Sequence, residues 1–584
     1  MREQYGWRSL VVAGILAFVG LSIILQIIHI QTSPEASILQ HSEQQYIEVP
    51  QIFYPERGEI YDRNGHLLAG NKTAYEIGVD LKSVKDKHAV ALAVGVELGL
   101  NPDDLYNLME NPPRSNLVYL VLANFVDEDK ALALKQIKAA ADQQANSSGQ
   151  NSLAGLIFTP RPERIYPEGA LASNVLGFVN RDGIGNFGIE EKYNDLLGGA
   201  PVTVNVPNDP NQAADIPQIP NGTTLILTLN RDLQAATEQI LDDSISKYGA
   251  QGGTIVIMDP RNGEILTMAS TPRMDLNQFW NYSSIYQSAS EYNLAVSTPY
   301  EPGSVLKILT MAAALDNNTV TPATTFLDTG FYLIGGVTIR NWNDQAWGIQ
   351  DMEGCIQNSL NVCMAWVSSQ MGAQNFYQYM NRFSLGHLTG IDLADEAAGR
   401  LKAPGDTDWS PSDLGTNAFG QGVATTPIQI MMAASAIANN GRMVMPHVLN
   451  AMVRDGRQFN VPVQYAGSPI SVSTAQTLDQ MLATSIKNEA SLASVPGYQI
   501  AGKTGTAQIP IEGGYDPVKT NASFIGWGPV NDPRFMIYVW LESPSASIWG
   551  SETAAPVFAQ VAQKAILMLN IPPDNIREQI AAQH

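Results

Sequence analysis

A serine and a lysine three positions apart mark the first place where the chain could do chemistry. Ser304 follows Pro302-Gly303, and Lys307 begins a run, 307–315, of strong helix formers. Side chains at i and i+3 share one helical face, so the two can act together. A serine hydroxyl becomes a good nucleophile when an adjacent base removes its proton, and a lysine among apolar neighbours can be that base. The spacing predicts a serine nucleophile in a first helical turn, where free N–H groups favour negative charge.

The same pattern occurs a second time, at Ser244-Ile245-Ser246-Lys247. It lies at the end of a predicted helix, just before a glycine-rich turn, and we expect it to be solvent-exposed. The four-residue pattern therefore identifies no nucleophile by itself, and Ser244 is not a candidate.

Two further polar motifs follow Ser304. Ser359-Leu360-Asn361 comes 55 positions later, and alone it is typical of a polar turn between amphipathic helices. Lys503-Thr504-Gly505-Thr506 ends a predicted strand. A glycine there lets another backbone approach closely, so an extended peptide could pair with the strand, its carboxylate meeting Lys503 and Thr504. In isolation this motif is more often a glycine-rich turn.

The order of the three motifs is more specific than any one of them. S-x-x-K, S-x-N and K-T-G, in this order, form the set found in penicillin-binding proteins and class A β-lactamases. The chain as a whole resembles the class B penicillin-binding proteins, the D,D-transpeptidases of peptidoglycan synthesis. The segments that carry the resemblance are 57–65 with 68–69, 164–167 with 172–179, 185–190 with 197–199, 300–304, and 420–422 followed by 426–429.

This resemblance implies a mechanism and a role for each residue. Ser304 would attack the penultimate D-Ala carbonyl of a donor stem peptide, with Lys307 as general base. Ser359 and Lys503 would relay the proton to the leaving amine, Asn361 would hold the donor backbone, and an acceptor amine would resolve the acyl-enzyme. The resemblance implies cross-linking during elongation or septation, without separating the two. Substrate binding would fall to Thr504, Gly505 and Thr506, with the N–H groups of Ser304 and Thr506 as oxyanion hole.

The expected ligands are stem peptides and β-lactams, with no cofactor and no metal. The seven histidines (29, 41, 66, 88, 387, 447, 584) are scattered, which argues against a Ser-His-Asp triad and a zinc site. A formal net charge of −22 without a basic cluster argues against nucleic acid. The resemblance also implies docking on a SEDS-type glycan polymerase in the membrane.

Three other functions share some of these features. A β-lactamase needs a base that deacylates with water, for which Glu396 is the nearest candidate after Ser359. A bifunctional class A enzyme needs a glycosyltransferase domain, where this chain has the N-terminal motifs instead. The third alternative is a catalytically silent scaffold or β-lactam sensor that works by binding, and the intact Ser304, Lys307 and Lys503 argue against it. Serine-type D-Ala-D-Ala carboxypeptidase activity would be a side reaction of the same acyl-enzyme with water.

The N-terminal region predicts a membrane anchor. Residues 10–28 are almost continuously apolar, and about 20 such residues cross a bilayer. A cleaved signal peptide has a shorter apolar region and a small-residue cleavage site, which residues 30–34 do not offer. Because Arg2 and Arg8 precede the span, we expect a single-pass protein of the cell membrane, its N-terminus cytoplasmic and its catalytic part extracytoplasmic.

The expected fold class is α+β. Strand patterns at 223–229, 253–269, 498–509 and 524–541 enclose a helix-rich middle, and the resemblance implies an antiparallel sheet flanked by helices, as in serine β-lactamases. Helical patterns fill 82–144, and a capping box at Thr426 and Gln429 starts a helix that should stop at Gly441. The expected divisions are 1–9 cytoplasmic tail, 10–30 transmembrane anchor, 31–50 linker, 51–215 strand-rich pedestal with helical insertion, 221–572 transpeptidase domain and 573–584 tail.

The two cysteines, Cys355 and Cys363, lie where disulfides are permitted if this orientation holds. On one continuous helix they would be about 12 Å apart, too far to bridge. A helix–loop–helix hairpin centred near Ser359 would bring them together. We take two buried thiols as the expected state.

Overall fold

We describe the protein from a computed structural model, which covers residues 6–32, 48–53, 55–114, 117–144, 151–200, 202–207, 220–488 and 491–582. Most of the expected linker, 33–47, and most of the segment 208–221 lie outside these ranges. The chain forms two units, Met1–Pro55 with Gly199–Asn221, and Glu56–Gly198 with Gly222–His584.

The first unit holds the N-terminal helix α1 (Gly6–Thr32). Its span Leu10–His29 has a mean hydropathy of 2.7 and is long and apolar enough to cross a membrane. Two strands of this unit, Glu48–Phe53 and Val202–Pro207, pair antiparallel. The first of them begins inside the expected linker.

The second unit contains two larger sheets and several helical layers. Its longer strands and the short ones that join them are β1 (Ile60–Tyr61), β2 (Leu67–Asp80), β3 (Tyr119–Asp127), β4 (Leu156–Ile165), β5 (Thr224–Leu227), β6 (Gly252–Met258), β7 (Ile265–Thr271), β8 (Leu449–Arg454), β9 (Arg457–Asn460), β10 (Ala501–Ile511), β11 (Gly514–Gly528) and β12 (Phe535–Glu542). Its longer helices and the short helix before the second motif are α2 (Lys87–Leu98), α3 (Pro102–Glu110), α4 (Glu128–Gln144), α5 (Arg231–Tyr248), α6 (Lys307–Asp316), α7 (Met352–Gln357), α8 (Asn361–Arg382), α9 (Pro427–Ala438), α10 (Val472–Asn488), α11 (Ala554–Met568) and α12 (Asp574–Ala581).

Shorter elements connect these. Two-stranded pairs are Phe178–Val179 with Gly185–Asn186, Phe326–Asp328 with Gly348–Gln350, Phe331–Ile334 with Val337–Arg340, Arg400–Leu401 with Val423–Ala424, and Met443–Val444 with Tyr465–Gly467. Short helices and 3-10 turns are Ser173–Leu176, Gly188–Lys192, Asn194–Gly198, Leu276–Asn281, Tyr282–Ile285, Ala289–Tyr292, Leu294–Ser297, Gly303–Leu306, Asp413–Asn417 and Ser491–Ala493.

A seven-stranded sheet joins the part before residue 198 to the part after 222. Its strand order is β9-β8-β5-β1-β2-β3, and β4 pairs with the other edge of β2. The junction is the parallel pair β1–β5, with Ile60 opposite Leu225. The turn from β1 to β2 is the hairpin predicted at Asn64-Gly65: Gly65 has φ +87, and the Asp62 carboxylate accepts from the N–H of Asn64 at 2.8 Å.

The helical pattern expected over 82–144 is wrong in its middle, where β3 lies. Leu120 and Leu122 are buried at alternate positions and β3 pairs with β2, so a period of two governs this segment. Because β3 lies between the helices α3 and α4, the change from a helical period to a period of two is not evident in the sequence. The expected tail also starts with a helix, α12.

A five-stranded antiparallel sheet, in the order β7-β6-β12-β11-β10, forms the centre of the region after residue 222. This confirms the expected sheet flanked by helices. The two faces of β12 are both covered: Ile537 and Val539 join the cluster formed with α5 and α11, while Tyr538 and Trp540 join the larger cluster formed with α6, α8, α9 and α10.

The predicted capping box of α9 is present. Thr426 Oγ1 accepts from Gln429 N, and the Gln429 side chain accepts in return from the Thr426 N–H, with Pro427 at the first helical position. Every residue of α9 is buried, and Gly441, just after it, has φ +85. This helix therefore forms the middle of the helical layer against which the site is built.

Candidate active site

The predicted nucleophile lies in a tight turn that leads into a buried helix. Ser304 is half-buried in the 3-10 turn Gly303–Leu306, and α6 continues directly from it. Gly303, at φ +58, donates its N–H to Gly420 O at 3.1 Å. A Cβ on Gly420 would lie 2.2 Å from Gly303 O, so the two backbones touch. Backbone contact on one side therefore fixes where the Ser304 turn sits.

Lys307 connects the first motif to the second. Its side chain is fully buried, one helical turn after Ser304. Its Nζ donates to Ser359 O at 2.6 Å, to Ser359 Oγ at 3.2 Å and to Asn361 Oδ1 at 2.8 Å. A buried amino group needs such partners because burial has removed its hydration. The arrangement places the hydroxyl of Ser359 beside the base predicted for Ser304.

The second motif is a loop between two helices. Ser359 has φ +52, an uncommon backbone conformation for a residue other than glycine, and its N–H donates to Ile356 O at 3.1 Å. Asn361 is the first residue of α8, and its Nδ2 donates to Arg340 O at 3.1 Å. The second motif is therefore a polar turn between helices, as expected for it in isolation. This turn also lies next to Lys307 and is part of the site.

The expectation of two free thiols is wrong, because Cys355 and Cys363 form a disulfide. Cys355 lies in α7 and Cys363 in α8, with their Cα atoms 6.0 Å apart. The helix breaks at the loop around Ser359, and the two helix ends fold back on each other. Helical rise alone therefore does not set the distance between the cysteines.

The third motif lies on β10, the last strand of the five-stranded sheet, and packs on the Ser304 turn. Thr504, Gly505 and Thr506 pair with β11. A Cβ on Gly505 would be 2.3 Å from Ser523 Oγ and 3.0 Å from Val305 Cγ1, so only glycine allows this contact between strand and turn.

Lys503 lies on the same strand and is buried. Its Nζ donates to Thr504 Oγ1 at 3.2 Å, which joins the two side chains expected at a substrate carboxylate. Thr506 O would lie 3.0 Å from a Cβ on Gly303. The structure therefore brings the three separated motifs together around one turn. Within the described residues, no group of three or more His, Cys, Asp or Glu side chains could hold a metal ion.

Family comparisons agree with this arrangement. Residues 253–563 match the penicillin-binding protein transpeptidase domain, and residues 52–213 match the penicillin-binding protein dimerisation domain. The chain belongs to the class B penicillin-binding proteins. The family's function is peptidoglycan transpeptidation in cell-wall synthesis, and this penicillin-binding protein shares it.

Named relatives cover nearly the whole chain. Stage V sporulation protein D of Bacillus subtilis is 32% identical over 533 residues, which span 89% of this chain and 79% of the relative. Penicillin-binding protein PbpB of Mycobacterium tuberculosis is 28% identical over 584 residues, or 94% of this chain and 83% of the relative. The crystal structure of penicillin-binding protein 3 from Mycobacterium tuberculosis, complexed with aztreonam, superposes with a TM-score of 0.68 at 26% identity, covering 90% of this chain and 98% of that chain.

Ser244, the serine of the second S-x-x-K pattern, is buried, although the sequence predicted that it would be exposed to solvent. Ser244 Oγ donates to Ile240 O at 2.6 Å, inside its own helix, whereas Lys247 is exposed. The serine faces the core because it lies on the inner side of α5. Its hydroxyl is engaged with the backbone, and it remains an unsuitable nucleophile.

Glu396, the candidate base of the β-lactamase alternative, is occupied elsewhere. Its carboxylate accepts from Thr389 N and Thr389 Oγ1, both at 2.6 Å, and from Gly390 N at 3.1 Å. These bonds close a loop in the 389–396 segment, which gives Glu396 a structural role.

Two aromatic residues at the rim of the site were not found from the sequence. Trp342 donates from Nε1 to Asn358 O at 3.2 Å, next to Ser359. Trp549 precedes Gly550, whose N–H donates to Thr506 Oγ1 at 3.0 Å. The two indoles lie far apart in the chain and share no pattern, so no local signal points to them.

Glu301 lies behind the nucleophile turn. Burial raises the pKa of its carboxyl, while hydrogen bonds from Gly422 N at 3.1 Å and Tyr515 OH at 3.3 Å oppose that rise. The side chain thus connects the Ser304 turn to the 420–422 segment and to the start of β11.

Proposed function

We propose that this protein is a serine-type D-Ala-D-Ala transpeptidase in which Ser304 forms the acyl-enzyme. The observation that carries the proposal is the position of Lys307: its Nζ holds Ser359 and Asn361 against the helix that begins at the Ser304 turn. The first two motif stretches meet at this Nζ, and the third, on β10, packs on the adjoining Ser304 turn through Gly505.

The first half-reaction forms an ester. Lys307, as a free amine, removes the hydroxyl proton while Ser304 Oγ attacks the penultimate D-Ala carbonyl carbon. The peptide C–N bond then breaks, and Ser359 with Lys503 passes the proton to the departing D-Ala amine. The N–H groups of Ser304 and Thr506 stabilise the oxyanion, at about 3–4 kcal/mol for each donor.

The second half-reaction makes the cross-link. An acceptor amine attacks the ester carbonyl, an amide bond forms, and the C–O bond to Ser304 breaks. One proton leaves the amine and one returns to Ser304 Oγ, so the enzyme is restored. Attack by water instead would give carboxypeptidase activity.

The donor peptide binds as an added strand. β10 is the last strand of its sheet, and an edge strand offers backbone groups to an extended peptide. Thr504, Gly505 and Thr506 lie along the bound backbone, with Asn361 on the opposite wall. Lys503 and Thr504 bind its terminal carboxylate, and a β-lactam occupies the same place.

The membrane placement follows from α1. We propose that the N-terminus is cytoplasmic and that the catalytic unit acts outside the membrane, because Arg2 and Arg8 precede the apolar span. The proposed domain limits are 51–215 for the pedestal and 221–572 for the transpeptidase domain. Docking of the anchor and pedestal on a SEDS-type glycan polymerase is tested by purification from native membranes, and recovery without any such polymerase would contradict it.

Labelling of the detergent-purified full chain with fluorescent penicillin tests the nucleophile. We expect one stable label per chain for the unchanged protein and for Ser244→Ala, and none for Ser304→Ala. Labelling that persists in Ser304→Ala would overturn the assignment, and rapid loss of the label would favour a β-lactamase. Release of D-Ala from a donor peptide in the presence of an acceptor amine then measures transpeptidation directly.

A further inference from the structure

The disulfide Cys355–Cys363 closes a ring of chain around the second motif. Both cysteines are fully buried, one in α7 and the other in α8. The two residues that accept hydrogen bonds from Lys307 Nζ at 2.6–3.2 Å, Ser359 and Asn361, lie inside this ring. The cross-link therefore encloses two residues that hydrogen-bond to the proposed general base.

The loop inside the ring is held in an uncommon backbone conformation. Ser359 has φ +52, which a side chain disfavours unless its surroundings impose it. The hydrogen bond from Leu360 N to Cys355 O, at 3.0 Å, joins the same two helix ends as the disulfide. A single backbone hydrogen bond is weak beside a covalent link, so the disulfide dominates at this point.

The outer flank of the loop has its own attachments. Trp342 Nε1 donates to Asn358 O at 3.2 Å, and Val362 N donates to Asn341 Oδ1 at 3.2 Å. These bonds fasten the loop to the 337–347 segment whether or not the cysteines are joined. Loss of the disulfide is therefore expected to loosen the loop without unfolding the unit.

We propose that the Cys355–Cys363 disulfide is a positioning element of the active site. It holds Ser359 and Asn361 around Lys307, so that the acylation rate of Ser304 depends on the cystine. The inference rests on the proposed function of Ser304. It assigns the two cysteines to the site although neither touches substrate.

A displacement of the loop affects rate more than stability. Proton transfer between Lys307, Ser359 and the leaving amine needs groups within hydrogen-bond reach. Misplacement of a reacting group by about 1 Å can slow a reaction on the order of 10²-fold. We therefore expect acylation to slow by about 10- to 100-fold when the ring is opened.

The test compares the full chain in detergent with its Cys355→Ala/Cys363→Ala variant, using fluorescent penicillin as the probe. Two quantities are recorded: the rate of labelling and the fraction of chains finally labelled. Misfolded chains lower the fraction, whereas a displaced loop lowers the rate among chains that do become labelled. Val561→Ala is the matched control, because Val561 is fully buried in α11, in the other core cluster.

The expected result is slow labelling of the double variant that still reaches nearly one label per chain, with a normal rate for Val561→Ala. Reduction of the unchanged protein with a phosphine should slow labelling in the same way, and reoxidation should restore it. A normal labelling rate in the double variant overturns the inference, even if the labelled fraction falls. Labelling of Ser304→Ala would instead refute the proposed nucleophile, so the two failures are distinguishable.

Discussion

Trp342 and Trp549 meet edge to face, with ring centroids 5.3 Å apart and ring planes at 73°. Trp342 donates to Asn358 O, on the wall that carries Ser359, and Trp549 lies next to Gly550, which binds the β10 wall. The pair therefore links the loop of the second motif to the strand of the third across the mouth of the site.

Because the two indoles touch, their contributions to acylation should be coupled. We expect Trp342→Ala and Trp549→Ala each to slow acylation several-fold, and the double variant to be slowed by less than the product. The coupling should be about 0.5–1.5 kcal/mol, the usual range for an aromatic pair. Labelling rates with fluorescent penicillin measure the cycle. Trp280→Ala, at a side chain 59% exposed, is the control and should change nothing; additive effects would contradict the coupling.

Gly505 allows β10 to rest on the nucleophile turn. In Gly505→Ala the new Cβ would lie 2.3 Å from Ser523 Oγ, 3.0 Å from Val305 Cγ1 and 3.2 Å from Pro302 O, so the Ser523 side chain must move and β10 must shift from the turn. We expect acylation to slow by about 10- to 100-fold, since displacement of reacting groups is costly. Gly514→Ala is the matched control, because no atom lies within 4 Å of its added Cβ. Equal labelling rates for the two variants would show that the close contact is unimportant.

Asp479 is a buried carboxyl whose charge opposes folding. Burial raises its pKa from 3.8 to about 8, although the Trp527 indole, which donates at 2.9 Å, opposes the shift. Between about pH 4 and pH 8 the folded chain therefore binds more protons than the unfolded chain, and stability falls as pH rises, by at most about 1.4 kcal/mol per pH unit. Asp479→Asn keeps an acceptor for Trp527 and removes this dependence.

The corresponding measurement is the difference in Tm between Asp479→Asn and the unchanged protein at several pH values. It should be small near pH 4 and grow in favour of the variant up to about pH 8. Asp243→Asn, at an exposed position on α5, should show no such trend. A difference that is independent of pH would mean that Asp479 is already ionised when folded.

Glu190 is fully buried between two arginines in the region before residue 198. Its carboxylate accepts from Arg57 Nε at 2.6 Å and from Arg164 Nε at 2.7 Å. Glu190→Gln leaves both cations buried without their counter-charge, and we expect a loss of about 3–5 kcal/mol of unfolding free energy. Tm should fall while the acylation rate of labelled chains stays unchanged. Glu128→Gln, at an exposed site, should be neutral.

The sequence correctly predicted those structural elements that are determined by residues close together in the chain. The capping box of α9, the Asn64-Gly65 turn and the strand patterns of the five-stranded sheet are confirmed because each is encoded within a few residues. The roles of Ser304 and Lys503 stay predictions, although the structure places both in one site.

The features that were missed depend on distant partners. The strand β3 forms because it pairs with the edge of β2. A short apolar run between two helices contains no local signal of that pairing. The disulfide exists because the helix breaks near Ser359, where the turn is held by bonds to other segments. Ser244 is buried because α5 turns that side towards the sheet. For β3 and Ser244 the deciding contact lies far away in the chain, whereas for the cysteines the sequence offered the hairpin near Ser359 as an alternative without deciding for it.

The parallel pair β1–β5 joins the region before residue 198 and the region after residue 222 in one sheet. β2 and β4 are joined through β1 to β5 and β8 by strand pairing, and β5 leads into the turn that precedes α5. A chain cut at residue 221 would leave β5 with a bare edge, open to pairing between molecules. The segments before residue 198 and after residue 222 therefore share one sheet, and separating them exposes a strand edge.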